Sequence, residues 1–278
     1  MSGQANRAER FKALHEGEGP LLLPNPWDPG SAKLLASLGF EALATTSGGA
    51  AAALGRLDGS MALEEAIASA AAIVEATELP VSADLENGFA DDPGGVAETM
   101  RMALDAGLAG ASVEDYTRRE EKIYDIGFAA ERVAAAAEVA HGGPSQLVLT
   151  TRAENHLYGV TDLADTIARL QAYQEAGADV LYAPGLARLE DIRQVVTSVD
   201  RPVNVLGRPG APSVAELAAA GVRRVSVGGA FAYAALGAAV EAARELLDEG
   251  TYGYFERAGV GLEAARSAFV DDPSKPTA

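Results

Sequence analysis

The stretch Asp162–Gly185, DLADTIARLQAYQEAGADVLYAPG, decides the fold. Its first part, Asp162–Ala176, has a helical pattern, and Val180–Ala183 is a short apolar run. Gly177 stands between them, where a left-handed cap stops a helix and turns the chain into a strand. The same junction recurs at Leu38-Gly39-Phe40, Ala106-Gly107-Leu108 and Ala220-Gly221-Val222. Repetition of this kind indicates successive helix–strand units. The strand candidates are Leu21–Pro24, Ala42–Thr45, Pro80–Asp84, Gly110–Glu114, Gln146–Thr151, Val180–Ala183, Pro202–Leu206 and Arg224–Val227. Helical patterns such as Ala62–Thr77 and Val214–Ala220 separate them. The runs are short and continuously apolar, as parallel strands buried on both faces are. Their ends lie about thirty residues apart, which suits roughly 250 residues shared among eight units. With no antiparallel hairpin signal, the pattern predicts an α/β fold, a closed (β/α)8 TIM barrel, ahead of an open doubly wound sheet.

Such a barrel is one domain over residues 1–278, with an N-terminal helix in 1–19 and a helical extension over about 232–278. Helical patterns at Ala234–Leu247 and Phe255–Phe269 flank the turn Glu249-Gly250-Thr251 and exceed what one closing helix requires. A surplus apolar stripe has to be covered, and a neighbouring subunit is the usual cover, so a homo-oligomer is expected. Hydrophobic residues make up 48% of the chain and aromatics only 6%, so Ala, Val, Leu and Gly do most of the packing. There is no cysteine, which excludes disulfides, thiolate metal sites and cysteine nucleophiles. A net charge of −18 repels nucleic acid and anionic membranes. No apolar run approaches the roughly eighteen residues of a membrane span. The start, MSGQANRAERFKALHEGEG, lacks a signal-peptide core, so a cytoplasmic location is expected.

Barrel enzymes carry their chemistry where strands end. Those ends read Asn25-Pro26-Trp27-Asp28, Thr45-Thr46-Ser47-Gly48-Gly49, Asp84-Leu85-Glu86-Asn87-Gly88, Glu114-Asp115, Arg152, Tyr182-Ala183-Pro184-Gly185 and Ser226-Val227-Gly228-Gly229, with Asn204 inside the seventh strand. Asp84, Glu86 and Glu114 therefore converge on one side of one face. Without a lysine among them they repel one another unless a cation neutralises them. An all-oxygen set suits Mg2+ or Mn2+. The alternative is that each carboxylate caps a helix or lies on a solvated loop. Arg152 ends the apolar run QLVLTT, so its guanidinium emerges in the mouth as a clamp for a substrate carboxylate, unless it pairs with Glu154 or another carboxylate. Ser47-Gly48-Gly49 opens a helix whose N–H groups suit the other anionic end of a substrate. Gly228-Gly229 is an alternative place for a phosphate. None of Lys12, Lys33, Lys122 and Lys275 ends a strand, which argues against a Schiff-base aldolase. His15, His141 and His156 form no His-x-His pair, which argues against a zinc hydrolase.

Together these strand-end motifs resemble the isocitrate lyase/phosphoenolpyruvate mutase superfamily. The most specific pieces are Thr46-Ser47-Gly48-Gly49, Leu54-Gly55-Arg56-Leu57-Asp58, Asp84-Leu85-Glu86-Asn87-Gly88, Val113-Glu114-Asp115 and Thr151-Arg152-Ala153-Glu154, in order along nearly the whole chain. The resemblance implies Mg2+ on Asp84, with Glu86 and Glu114 holding its waters. It implies a substrate carboxylate on Arg152 and the oxo-acid end on Ser47 and Gly48. Trp27 then forms a wall, Gly49 and Asn204 complete the substrate contacts, and Asp58 stands beside the reacting group. Known members are typically tetramers that swap a C-terminal helix.

The departures narrow the activity. After the fourth strand the chain reads Asp115-Tyr116-Thr117-Arg118-Arg119-Glu120-Glu121-Lys122. It has neither the Lys-x-Cys-Gly-His loop of isocitrate and methylisocitrate lyases nor the Lys-x-Asn-Ser gate of phosphonomutases. Pro184 stands where the lyases carry Glu and the mutases His. Lys122 is the candidate gate lysine, at looser spacing, and joins Asp58 and Arg152 as an expected catalytic group. The loop Tyr116–Asp125 is expected to be a mobile gate. The expected function is Mg2+-dependent cleavage of a C–C bond in a small 2-oxo or 2-hydroxy dicarboxylate through an enolate, as in oxaloacetate decarboxylation. Two other readings stay open: a mutase or hydrolase of phosphonopyruvate-like C–P bonds, and a non-catalytic 2-oxo acid binding protein.

Overall fold

The computed structural model describes residues 3–269. Eight barrel strands are present: β1 (Leu21–Leu23), β2 (Leu43–Ala44), β3 (Val81–Asp84), β4 (Gly110–Glu114), β5 (Val148–Arg152), β6 (Val180–Tyr182), β7 (Val203–Leu206) and β8 (Arg224–Ser226). They pair in parallel from β2 round to β8, and β8 pairs with β1. The remaining seam, between β1 and β2, is bridged by the Ala44 N–H donating to the Pro24 carbonyl at 3.0 Å. Asn25 reinforces it from inside. Its Nδ2 donates to the Thr45 carbonyl, and its Oδ1 accepts from the N–H groups of both Val227 and Gly228. The ring is therefore a closed α/β barrel, and Asn25 is the stitch that joins β1, β2 and β8.

Local chemistry explains the alternation. Asp28, Thr46, Asp92, Asp162 and Ser213 each cap a helix N-terminus through their side chains, satisfying N–H groups the helix cannot. At the other ends Gly39, Gly107, Gly177 and Gly221 all have φ between 77° and 110°, the left-handed conformation their place in the sequence demands. The inner strands are sheathed on both sides, and Leu149, Leu181, Ala111 and Val113 are at most 1% exposed. The N-terminal helix Gly3–Leu14 plugs the bottom of the barrel with Phe11, which lies so close to Gly110 that a Cβ there would come within 2.8 Å of its ring.

Two features depart from the sequence reading. A short antiparallel ladder, Tyr116–Thr117 with Lys122–Ile123, follows β4. Its turn is built from Arg118-Arg119-Glu120-Glu121, with Glu121 taking the positive φ of 49° in place of a glycine, so the usual hairpin signal is missing. The C-terminal helix begins at Ala230, earlier than its apolar pattern suggests. It runs to Arg244, widens into a π-turn over Glu245–Glu249 and stops at Gly250. The last helix, Phe255–Ala268, packs on Pro29–Ser37 of the same chain. The part of the expected extension past residue 269 lies outside the described residues.

His15 gives the barrel bottom a pH signature. Its Nδ1 lies 2.8 Å from the Phe11 carbonyl, and burial, helped by Arg224, lowers its pKa from 6.5 to about 4. The folded protein thus keeps His15 neutral where the unfolded chain protonates it, and stability is full above pH 6.5 and falls as pH drops towards 4. His15→Gln is expected to remove on the order of 2–4 kcal/mol of that acid-side loss. Urea unfolding at pH 7 and pH 4.5 measures it, and equal losses in the two proteins would contradict this account.

Candidate active site

Barrel register brings the strand-end residues together. Glu114 and Arg152 are direct neighbours across β4 and β5, and Asp84 ends the adjacent β3. The Arg152 guanidinium is the hub. Its Nη1 lies 2.7 Å from Glu114 and 3.3 Å from Asp84, and its Nε lies 2.6 Å from Glu154. It also faces the Tyr182 ring, 5.1 Å from the ring centre. Asp84 uses its second oxygen to accept from the N–H and the hydroxyl of Ser47, which ties β2 to the same centre.

A second guanidinium closes the outer side. Arg118, on the hairpin turn, reaches Glu86 at 3.0 Å and Asp58 at 3.0 Å. The hairpin itself is anchored by Tyr116 stacked on Tyr158, with ring centres 3.5 Å apart. The acidic cluster is thus compensated by arginines, where the sequence reading found no lysine to do so. Compensation is incomplete: among the described residues, Asp58, Asp84, Glu86, Glu114 and Glu154 pair only with Arg118 and Arg152. Burial, with Asp84 and Asp58 adding to it, raises the pKa of Glu86 to about 7 against the pull of Arg118. Burial also holds the Glu114 carboxyl well above the carboxylate range, with Arg152 opposing.

The donor set fits a hard divalent cation. Glu86 Oε1 is buried without a hydrogen-bond partner, beside carboxylates that repel it. Among the described residues no three acidic or histidine side chains form a ready-made cage. A Mg2+ site needs none, because this ion binds through one or two carboxylates and keeps several waters. Glu86 is also held at φ 48°, a left-handed conformation unusual for its residue type and one that clusters at functional sites.

The other expected residues divide. Gly48 and Gly49 sit in the first turn of the helix Ser47–Ala53, which Ser47 opens as the sequence predicts. A Cβ on Gly49 would come within 2.6 Å of Thr46 and 3.0 Å of Trp27, so glycine is needed for Trp27 to pack there. The Ser47 N–H and hydroxyl both donate to Asp84. Asn204 lies inside the barrel, donating to Ser226 and accepting from Arg224. Lys122 points away and pairs with Glu120 on the hairpin edge. The looser spacing noted in the sequence puts it on the strand leaving the turn, outside the cluster.

Sequence reasoning missed the buried arginines. Arg132, 1% exposed on the helix Ile126–His141, donates to the carbonyls of Asn87, Ala90, Asp91 and Glu114. It fixes the Glu86 loop against the end of β4. Arg169 and Tyr173 both donate to Asp115, whose other oxygen takes the Glu154 N–H. Tyr233 of the C-terminal helix joins Ser47, Gly48, Arg152 and Tyr182 around a mouth cavity of about 180 Å3. Helical spacing gives such residues no mark that separates them from surface charges.

Residues 11–247 match the family model described as phosphoenolpyruvate phosphomutase. The chain belongs to the phosphoenolpyruvate mutase/isocitrate lyase superfamily. A crystal structure of a provisionally assigned lyase/mutase from Burkholderia cenocepacia J2315 is 50% identical, with a TM-score of 0.93 over 97% of this chain and 98% of that one. An uncharacterized protein of Mycobacterium tuberculosis is 33% identical over 86% of this chain and 89% of its own length. An oxaloacetate decarboxylase of Pseudomonas putida (strain GB-1) is 29% identical over 78% of this chain and 77% of its own. In this member of the superfamily the hairpin after β4 brings Arg118 to Asp58 and Glu86.

The two outlying arginines should behave differently. Arg132→Met leaves buried carbonyls without donors and is expected to cost about 3 kcal/mol or more. Arg118→Met removes a partly exposed ion pair and should cost about 1 kcal/mol or less. Chemical denaturation separates them, and comparable losses would refute the assigned roles.

Proposed function

We propose that this chain is a divalent-cation-dependent lyase that breaks a C–C bond of a small 2-oxo or 2-hydroxy dicarboxylate, with oxaloacetate decarboxylation as the representative reaction. The incompletely compensated carboxylate cluster around Asp84, with the unpartnered Glu86 oxygen inside it, is the observation that carries this reading. The oxaloacetate decarboxylase among the relatives supports the substrate class. Asp84 would hold the cation, Mg2+ or Mn2+, with Glu86 and Glu114 beside it. Such an ion supplies charge stabilisation to an oxyanion that develops on the substrate.

The chain's own groups then do the positioning. Arg152 has Nε and Nη1 committed to carboxylates, and its Nη2 edge makes none of those bonds, which leaves it to orient a substrate carboxylate. Gly48 offers the backbone N–H in the turn where that of Ser47 is already engaged. Breaking the C3–C4 bond of oxaloacetate sends CO2 away and leaves the electron pair in an enolate of pyruvate, whose C3 then takes up a proton from water to give pyruvate. Holding the carboxylate and oxo groups coplanar lets that bond align with the π system. Arg118, over Asp58 and Glu86, screens the mouth from water. Trp27 backs the turn that carries Gly48.

With Mg2+ present, the protein is expected to release pyruvate and CO2 from oxaloacetate. Asp84→Ala should lower the rate by at least about a hundredfold, the order of an electrostatic contribution to catalysis. Coupled pyruvate detection measures this, and full activity after exhaustive EDTA treatment would exclude the reading. Phosphoenolpyruvate or phosphate from phosphonopyruvate would instead place the reaction at phosphorus.

The C-terminal helices bear on assembly. Leu236, Val240, Leu247, Phe255 and Val260 are all more than 45% exposed along them. We infer a homo-oligomer, a tetramer with this face covered by partner subunits. Light scattering at micromolar concentration is expected to give four times the 28.5 kDa chain mass. A monomeric mass would rule it out.

A further inference from the structure

The proposed reaction makes no use of Arg224. It belongs to β8, points into the barrel and is 4% exposed. Its Nε donates to Asn204 Oδ1 at 2.9 Å and its Nη1 to Thr150 Oγ1 at 3.0 Å, both neutral acceptors. The other buried arginines are balanced differently. Arg152 and Arg169 touch carboxylates, and Arg132 is ringed by four carbonyls. No acidic side chain among the described residues forms an ion pair with Arg224. An arginine does not escape burial by losing its proton, and an uncompensated charge in the interior is costly. The feature is therefore unlike ordinary core packing.

Arg224 lines a cavity of about 60 Å3 beneath the mouth. Thr45, Ser82, Ser112 and Ser226 also line it, with Arg152 and Asp84 among the remaining walls. The hydroxyls can turn their O–H donors inward. Asp84 is the acidic group in this lining, and its oxygens face Arg152 and Ser47 and form no ion pair with Arg224. The space exceeds the roughly 15 Å3 that one water requires, so it can hold a small ion together with water. We propose that this cavity is a binding site for one compact monovalent anion, a halide or a carboxylate group, held by the Arg224 guanidinium. Burial and the like charge of Arg152 lower the pKa of Arg224 to about 10, a strain that an anion in the cavity relieves.

This inference does not depend on which bond the enzyme breaks. The anion could come from bulk solution or be the end of a substrate that reaches down past Arg152. Anomalous diffraction from wild-type crystals soaked in sodium bromide, with thermal midpoints in sodium chloride and sodium gluconate at equal ionic strength, tests it. The expected result is a bromide peak in the cavity beside Arg224, and a chloride midpoint that rises saturably above the gluconate one. Arg224→Met should abolish that difference. If this variant fails to fold, the wild-type measurements decide alone. No bromide in the cavity overturns the proposal, as does a peak with equal midpoints, which would mark an adventitious ion only. With the site established, an oxalate Kd raised at least threefold by chloride assigns it to a substrate carboxylate. An unchanged Kd assigns it to a resident inorganic ion.

Discussion

The Arg152 guanidinium is the interaction on which the mouth of this barrel depends. It draws Asp84 from β3, Glu114 from β4 and Glu154 from beyond β5 onto one planar cation, above the Tyr182 ring of β6. Each carboxylate is largely buried, and alone each would take up a proton or push its neighbours apart. The shared cation lets them stay together. Burial still favours the protonated forms of Glu86 and Glu114, and a divalent ion is the partner that would let them ionise.

A shell of buried arginines holds this centre in place. Arg132 pins the Glu86 loop to β4 through carbonyls, and Arg169 pins Asp115, which in turn receives the Glu154 N–H. Neither reaches the mouth cavity. They work by leaving few arrangements open to the loops that do, as a site needing fixed geometry requires. Arg118 belongs to another layer, because it arrives on a short hairpin and bridges Asp58 and Glu86 from the solvent side.

The barrel was legible because its signal is repeated. Gly39, Gly107, Gly177 and Gly221 mark helix ends by a backbone requirement that glycine alone meets cheaply, and the apolar runs after them have nowhere to go but the interior. Asp84, Glu86, Glu114 and Arg152 were legible for a related reason, since they are charges at the ends of apolar strands. Asn204 and Arg224 were harder to interpret. Asn204 lies within β7 and Arg224 opens β8, and period-two alternation says which face they take but not whether that face is mouth or interior. Lys122 was misplaced because the hairpin around Arg118-Arg119-Glu120-Glu121 has no glycine to announce it. Arg132 and Arg169 lie on helices, and only the packed fold shows that their heads enter the core.

The central claim is that the Asp84-centred cluster takes up one divalent cation. Titration of chelator-treated protein with Mn2+, followed by calorimetry, tests it without reference to any reaction. One Mn2+ per chain, with binding lost in Asp84→Asn while the fold is kept, is the predicted result. No binding to the wild type, or binding that survives Asp84→Asn unchanged, would contradict it.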